Sequence, residues 1–253
     1  MTVVSHEHQF IFLRTRKTAS TSLFVSIARY AGKGGIIAEV SDGPDYGINA
    51  ANNLTPFHRL SAGRKLQVAN AAISDSLKLL RHGRKGNKAG RLRERFSEHM
   101  TARDLRAELG DKIWHTYFKF AFERNPWDRV LSFYHWQKYR HNISCSFAEF
   151  LKVIASKDPK QLESVHAENW SNWPIYTIDD TIAVDFMARY EDLKSDLQKA
   201  MDKAGVAFDG WLPDAKGHIR EDRRHYRTVY SEEERSLVDS IFRKEIDTFG
   251  YEF

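Results

Sequence analysis

The chain has 253 residues, of which 42% are hydrophobic and 13% aromatic, a composition that excludes a disordered chain and allows a substantial core. Its single cysteine, Cys145, excludes an internal disulfide and favours a reducing compartment. The formal net charge is +5, and residues 78–95 hold eight Lys or Arg against one Glu. Such a basic segment indicates either an anionic partner or a solvated loop.

No secretory signal pattern and no long apolar run appear in the sequence. We therefore expect a soluble, cytoplasmic protein without a transmembrane segment. We also expect a single domain over residues 1–253, with loop-rich insertions near residues 32–62 and 78–95.

The first elements in chain order are a strand, a turn and a helix. The apolar run Phe10–Leu13 predicts a short strand, and the helical spacing from Leu23 to Ala31 predicts a helix that Gly32 ends. Between them lies the segment Lys17-Thr-Ala-Ser-Thr-Ser22. The first N–H groups of a helix are unpaired and its dipole is positive there, so this segment predicts an anion site.

Later elements follow the same kinds of signal. Residues 32–56 predict a long loop, and residues 66–80 a helix. Thr101 is the expected N-cap of a helix through Leu109, and the alternation from Trp114 to Phe122 predicts a second strand.

Asn125 and Pro126 then predict the start of a helix, because Asn is a favoured N-cap and Pro suits the first turn. Further helices are expected over residues 146–154, 193–204 and 231–249, the last with a capping box at Ser231, and a strand over residues 182–186. Strands alternating with helices predict an α/β fold: a three-layer sandwich with a mainly parallel central sheet flanked by helices.

The anion site differs from a nucleotide-triphosphate P-loop. Arg14, Thr15 and Arg16 stand where that loop would carry glycines, so the segment suits one phosphate rather than a triphosphate. Arg124, at the end of the second predicted strand, and Ser132, two turns into the next helix, could hold a second phosphate.

Together the two segments carry a family resemblance. Lys17-Thr-Ala-Ser-Thr-Ser-Leu23 resembles the 5′-phosphosulfate loop of sulfotransferases, and Arg124-Asn-Pro-Trp-Asp-Arg-Val-Leu-Ser132 resembles their 3′-phosphate motif. Both segments are most similar to those of the carbohydrate branch of this family, which includes heparan sulfate 2-O-sulfotransferase and bacterial relatives. The resemblance also implies a P-loop-like fold.

The resemblance implies the donor 3′-phosphoadenosine 5′-phosphosulfate (PAPS), no metal, and transfer of a sulfuryl group to a hydroxyl of a carbohydrate or glycoconjugate, possibly an anionic one. Lys17 would also act catalytically, by neutralising charge on the oxygen that leaves sulfur. Arg14 and His58 are assigned to the acceptor side. The residues assigned to the donor are Arg16, Lys17, Thr18, Ala19, Ser20, Thr21, Ser22, Arg124, Ser132 and Arg223.

An acceptor hydroxyl needs a general base, and histidine has a suitable pKa. The family branch places its catalytic histidine in a setting similar to that of His99, with His58 and His115 as alternatives. Glu123 departs from the family pattern, since relatives usually carry an apolar residue before the arginine. On a strand Glu123 would point away from Arg124 and need not oppose the 3′-phosphate.

Two other functions fit parts of the sequence. A P-loop kinase or other nucleotide-binding protein could share the sheet but would require Mg²⁺, an acid to hold it and the missing glycines. A nucleic-acid-binding module could use residues 78–95, but aromatic residues are not interleaved with those basic residues.

Overall fold

The computed structural model describes residues 2–38, 43–55, 57–82, 89, 92–215 and 224–253. Its central sheet contains β1 (Val3–Ser5), β2 (Phe10–Leu13), β3 (Ile36–Ile37), β4 (Phe118–Glu123) and β7 (Phe186–Arg189), in the order β3-β1-β2-β4-β7. A separate two-stranded sheet holds β5 (Thr177–Ile178) and β6 (Thr181–Ile182). Strands and helices alternate along the chain, which confirms the α/β class.

Helices flank the central sheet. Within the described residues they are α1 (Ser20–Ala28), α2 (Ala62–His82), α3 (Ala102–Leu109), α4 (Asp111–Thr116), α5 (Pro126–His141), α6 (Phe147–Ser156), α7 (Pro159–Ser164), α8 (Trp173–Tyr176), α9 (Leu193–Lys203), α10 (Glu232–Ile241) and α11 (Arg243–Phe249). Side-chain caps predicted at Thr101, Asn125 and Ser231 all form, and Ser146 forms a further capping box at the start of α6.

The sheet is mixed, not mainly parallel. β2, β4 and β7 run parallel, whereas β1 pairs antiparallel with both β2 and β3. A four-residue turn joins β1 to β2, and such a short connection can only join antiparallel neighbours. The three parallel strands place their carboxyl ends at one edge of the sheet.

Several element boundaries differ from the sequence prediction. The helix α1 ends at Ala28 rather than at Ala31, and β3 lies within the loop predicted over residues 32–56. Trp114 lies in α4 because Gly110, at φ 83°, ends α3 and the chain turns at once into another short helix, so the strand begins only at Phe118. The strand predicted over residues 182–186 is the end of β6 and the start of β7. The last helix is broken at Phe242, where the backbone leaves helical geometry at φ −109°.

Two hydrophobic clusters surround the site. One packs the sheet against α1, α3 and α9, with Phe12, Phe120 and Phe122 at its centre. The other packs α5 against α6, α10 and α11, with Phe150 and Phe242 fully buried. β4 belongs to the first cluster and α5 to the second, so the turn at Arg124 joins them.

Candidate active site

The site lies at the carboxyl edge of β2 and β4. Leu13 pairs with Ala121 in parallel register, so Arg14 and the residues after Glu123 leave the sheet side by side. Crevices beyond the carboxyl ends of parallel strands are the usual ligand sites of open α/β sheets.

The loop from Arg14 to Ala19 (the Lys17 loop below) has an unusual backbone. Lys17 and Ala19 have φ angles of 63° and 54°, in the left-handed region that residues other than glycine seldom adopt. Ala19 offers no side-chain cap, and the first backbone bond of α1 is donated by Leu23 to the Ala19 carbonyl. The N–H groups that precede Leu23 in the helix therefore lack intrahelical partners and suit an anion.

The hydroxyl groups of this segment divide into two kinds. Thr18 is fully buried, and its hydroxyl lies 2.9 Å from that of Thr15, which bonds the Phe122 carbonyl, so these two side chains brace the loop on β4. Thr21 accepts a bond of 3.0 Å from Arg14 Nη2, and Ser22 accepts one of 3.2 Å from the Ala215 N–H. A hydroxyl that accepts still has its own hydrogen to donate, so Thr21 and Ser22 suit phosphate binding.

Arg124 ties the second motif to the first. Its Nη1 donates to the Lys17 carbonyl at 3.0 Å, and its Nε and Nη2 donate to Asp128 at 2.8 and 2.6 Å. Its guanidinium also lies 4.0 Å from the centre of the Tyr190 ring. A guanidinium has five N–H groups, so these contacts orient Arg124 and leave two N–H groups for a ligand.

One face of α5 is turned to the Lys17 loop. Asp128, Ser132 and Trp136 are four residues apart and share that face. Asp128 holds Arg124, and the Trp136 ring lies 4.8 Å from Lys17 Nζ. Ser132 is half-buried on the same face, between Asp128 and Trp136.

His99 approaches the loop from the other side. Its Nδ1 lies 2.9 Å from the Arg14 carbonyl, which can only accept, so Nδ1 carries the hydrogen and Nε2 keeps a lone pair. Burial, and then the charges of Arg14 and Arg16, lower the pKa of His99 well below 6.5. Its imidazole is therefore neutral at pH 7, as a general base requires. Glu98 lies 3.7 Å from Arg14 Nη1 and 3.9 Å from His99 Nε2.

The other candidates lie elsewhere or outside the described residues. His58 is exposed on a short 3₁₀ helix, Phe57–Arg59. His115 is exposed near the amino end of β4, and six strand residues, about 20 Å, separate that end from the site. Arg223 and much of the basic segment 78–95 lie outside the described residues.

Beneath the loop is a buried network that sequence reasoning missed. The Asn172 side chain forms two hydrogen bonds with the Arg16 backbone. Its Oδ1 accepts from the Arg16 N–H at 2.8 Å, and its Nδ2 donates to the Arg16 carbonyl at 3.0 Å. Its Nδ2 also lies 3.3 Å from Glu123 Oε1. Glu123 is fully buried and accepts from Tyr176 and the Arg124 N–H, so it points beneath the loop rather than toward a ligand.

Arg129 completes the network. Its Nε lies 3.3 Å from Glu123 Oε1 and its Nη2 3.7 Å from Glu245 Oε1, with all three side chains almost fully buried. Burial raises the pKa of Glu123, and it raises that of Glu245 to about 7. The acidic residue at position 123, where relatives usually carry an apolar one, was the one feature of the sequence that pointed to this network. Asn172 gave none, because its partner lies 156 residues away.

The arrangement combines an uncapped helix N-terminus, a lysine, an oriented arginine and a neutral histidine around one loop. A family model described as the sulfotransferase family matches residues 1–252. The chain belongs to the sulfotransferase family. Sulfuryl transfer is the general chemistry of this family.

Other comparisons with this sulfotransferase add little about its substrate. An uncharacterized protein of Archaeoglobus fulgidus is 34% identical to this chain over 115 residues, which cover 42% of this chain and 83% of that protein. No solved structure matches the chain. Among the residues that the structure describes, no group of three or more His, Cys, Asp or Glu could hold a metal ion. No helix in the same ranges is long and apolar enough to cross a membrane.

Proposed function

We propose that the protein transfers the sulfuryl group of PAPS to a hydroxyl of a carbohydrate or glycoconjugate, with His99 as general base. The observation that carries the proposal is the junction of the two motifs, where Arg124 Nη1 contacts the Lys17 carbonyl at 3.0 Å. A donor phosphorylated at both its 5′ and 3′ positions needs two anion sites on one sheet edge, and this contact brings two candidates together.

The donor groups present fit this nucleotide. The 5′-phosphate would take the N–H groups at the start of α1, the hydroxyls of Ser20, Thr21 and Ser22, and Lys17 Nζ. The buried Thr18 side chain would contribute through its backbone N–H alone. The 3′-phosphate would take Arg124 and Ser132, and Arg16, whose pKa burial lowers to about 10, remains a cation beside both.

Each active residue has a defined part in the transfer. When bound, PAPS supplies the sulfuryl group and a phosphate as leaving group. His99 Nε2 accepts the proton of the acceptor hydroxyl as the hydroxyl oxygen forms its bond to sulfur. Lys17 Nζ stabilises the negative charge left on the phosphate oxygen as its bond to sulfur breaks. Arg14, held by Thr21 and Glu98, would orient an anionic acceptor beside His99.

We extend the proposal to the whole chain. Residues 1–253 would form one catalytic domain of the carbohydrate branch, with a P-loop-like turn between β2 and α1. The regions near residues 32–62, which include His58, and near residues 78–95 would shape the acceptor side. The family resemblance alone assigns Arg223, which lies outside the described residues, to the donor.

Thermal-shift titration tests the donor. The product 3′-phosphoadenosine 5′-phosphate (PAP) should raise the melting temperature, whereas ATP with Mg²⁺ should raise it less, because one loop without glycines suits one phosphate better than three. Lys17→Ala should weaken the PAP effect and abolish transfer. Stabilisation by ATP with Mg²⁺ and none by PAP would favour the kinase alternative instead.

Asn172→Ala provides a second test, aimed at the loop's support. Loss of both bonds to Arg16 should weaken PAP binding by up to about thirtyfold, since each bond is worth about 1 kcal/mol. Isothermal titration of PAP measures the change, with the exposed Asn70→Ala on α2 as matched control. Equal PAP affinity in the two variants would show that the hydrogen bonds from Asn172 to the Arg16 backbone do not organise the donor site.

A further inference from the structure

Helix α2 turns its most apolar face to solvent. Leu66, Ile73, Leu77 and Leu80 (the α2 stripe) lie on one side of the helix, and their exposed fractions are 64%, 60%, 46% and 82%. The residues of α2 that the protein buries are the smaller Val68 and Ala71, at 6% and 3% exposed. Such a stripe of large aliphatic side chains is unusual on a surface that contacts only water.

The charges that border the stripe are basic. Lys65 lies near the start of α2 and Lys78 near its end. Arg64 lies on the opposite side of the helix and donates from Nε to the Leu92 carbonyl at 3.0 Å. The helix contains one acidic residue, Asp75, which lies away from the stripe and accepts from the Ala89 N–H at 3.0 Å. The sequence from residue 79 to residue 95 adds seven basic residues and one acidic residue.

We propose that α2 lies in the interface of an anionic lipid bilayer, with the stripe among the acyl chains and the flanking basic residues at the headgroups. An apolar face bordered by Lys and Arg is the signature of interfacial helices, and each basic residue near an anionic surface adds attraction. The 21 residues of α2 would lie along the surface for about 32 Å.

Charge favours this occupant over a second copy of the chain. Pairing two α2 stripes would bring two basic helices together, whereas anionic headgroups neutralise them. A polar glycan would gain nothing from four exposed aliphatic side chains. The inference is independent of the proposed donor and base, because no residue of the α2 stripe is assigned to donor binding or to proton transfer.

Vesicle co-sedimentation of the full chain tests the proposal. The protein should bind vesicles of phosphatidylcholine with 30% phosphatidylglycerol, bind pure phosphatidylcholine much more weakly, and dissociate as salt rises. Leu80→Ser should lower the partition coefficient about 10- to 100-fold, since burying a leucine is worth about 1.5–3 kcal/mol. The control Leu79→Ser carries the same change on the adjacent, 48% exposed residue that lies off the stripe, and should have little effect.

The charged flanks form the second arm. Lys65→Glu with Lys78→Glu should abolish the preference for phosphatidylglycerol, and an unchanged PAP thermal shift would show that the donor site is intact. No binding by the wild-type chain, or equal loss in Leu79→Ser and Leu80→Ser, would overturn the proposal. A concentration-dependent dimer that Leu80→Ser disperses, without vesicle binding, would assign the stripe to a second copy.

Discussion

His99→Asn is expected to lower the rate of sulfuryl transfer by about 10²–10⁴-fold while leaving PAP affinity close to that of the wild type. Asparagine tolerates the left-handed backbone that His99 adopts at φ 54°. Its amide can replace Nδ1 as the donor to the Arg14 carbonyl. The substitution therefore removes only Nε2, the atom proposed to accept the proton.

Transfer assays and PAP titration on the same preparations separate the two effects. His115→Asn makes the same replacement at the exposed histidine near the far edge of the sheet and should leave both quantities unchanged. Full turnover by His99→Asn would move the base to another residue.

The pH dependence of the wild type gives an independent readout. Because the pKa of His99 lies well below 6.5, its base form is present throughout the neutral range. The value of kcat/KM should therefore be level from about pH 6.5 upward and fall only in more acidic solution. His99→Asn should lack that acidic fall.

Arg129→Met is expected to have the largest effect on stability, a loss of about 3–5 kcal/mol in the free energy of unfolding at pH 7. The variant leaves Glu123 and Glu245 buried without the cation that both face. It also removes the bond of 3.0 Å from Arg129 Nη1 to the Trp170 carbonyl. Denaturant unfolding measures the loss.

The steepness of its pH dependence identifies the cause. Burial already raises the pKa of Glu123 and Glu245 in the wild type, and loss of the Arg129 charge should raise both further. The variant should therefore lose more stability than the wild type as pH rises from about 4.5. Arg103→Met removes an exposed arginine paired with Asp179 and should cost less than about 1 kcal/mol at any pH. A loss in Arg129→Met no larger than in Arg103→Met would show that the network does not stabilise the fold.

Sequence patterns predicted those parts of the molecule that short segments determine. The strand–loop–helix around Lys17 and the cap at Asn125 follow from apolar spacing and from side chains that bond their own helix, so both form as expected. The parallel pairing of β2 with β4, which brings the two motifs to one sheet edge, is seen only in the structure.

The rest depended on partners distant in sequence. β1 has three residues and gains its place by pairing with β2 and β3, so no internal period marked it. The support of the Lys17 loop by Asn172 crosses 156 residues, and the tautomer of His99 depends on a carbonyl 85 residues away. A single sequence does not indicate such pairs, because only folding brings the two residues together.

The left-handed backbone angles at Lys17 and Ala19 lower the stability of the fold, and at position 17 the residue that bears this cost is also the one needed for transfer. Each costs about 1–2 kcal/mol in a residue with a Cβ atom, and glycine would relieve most of it. At position 19 only the backbone N–H is needed, so Ala19→Gly should be tolerated. At position 17 the relief would remove the ammonium group, so Lys17→Gly should melt above Lys17→Ala yet be equally inactive. Selection for heat resistance alone would thus favour an inert protein at this position.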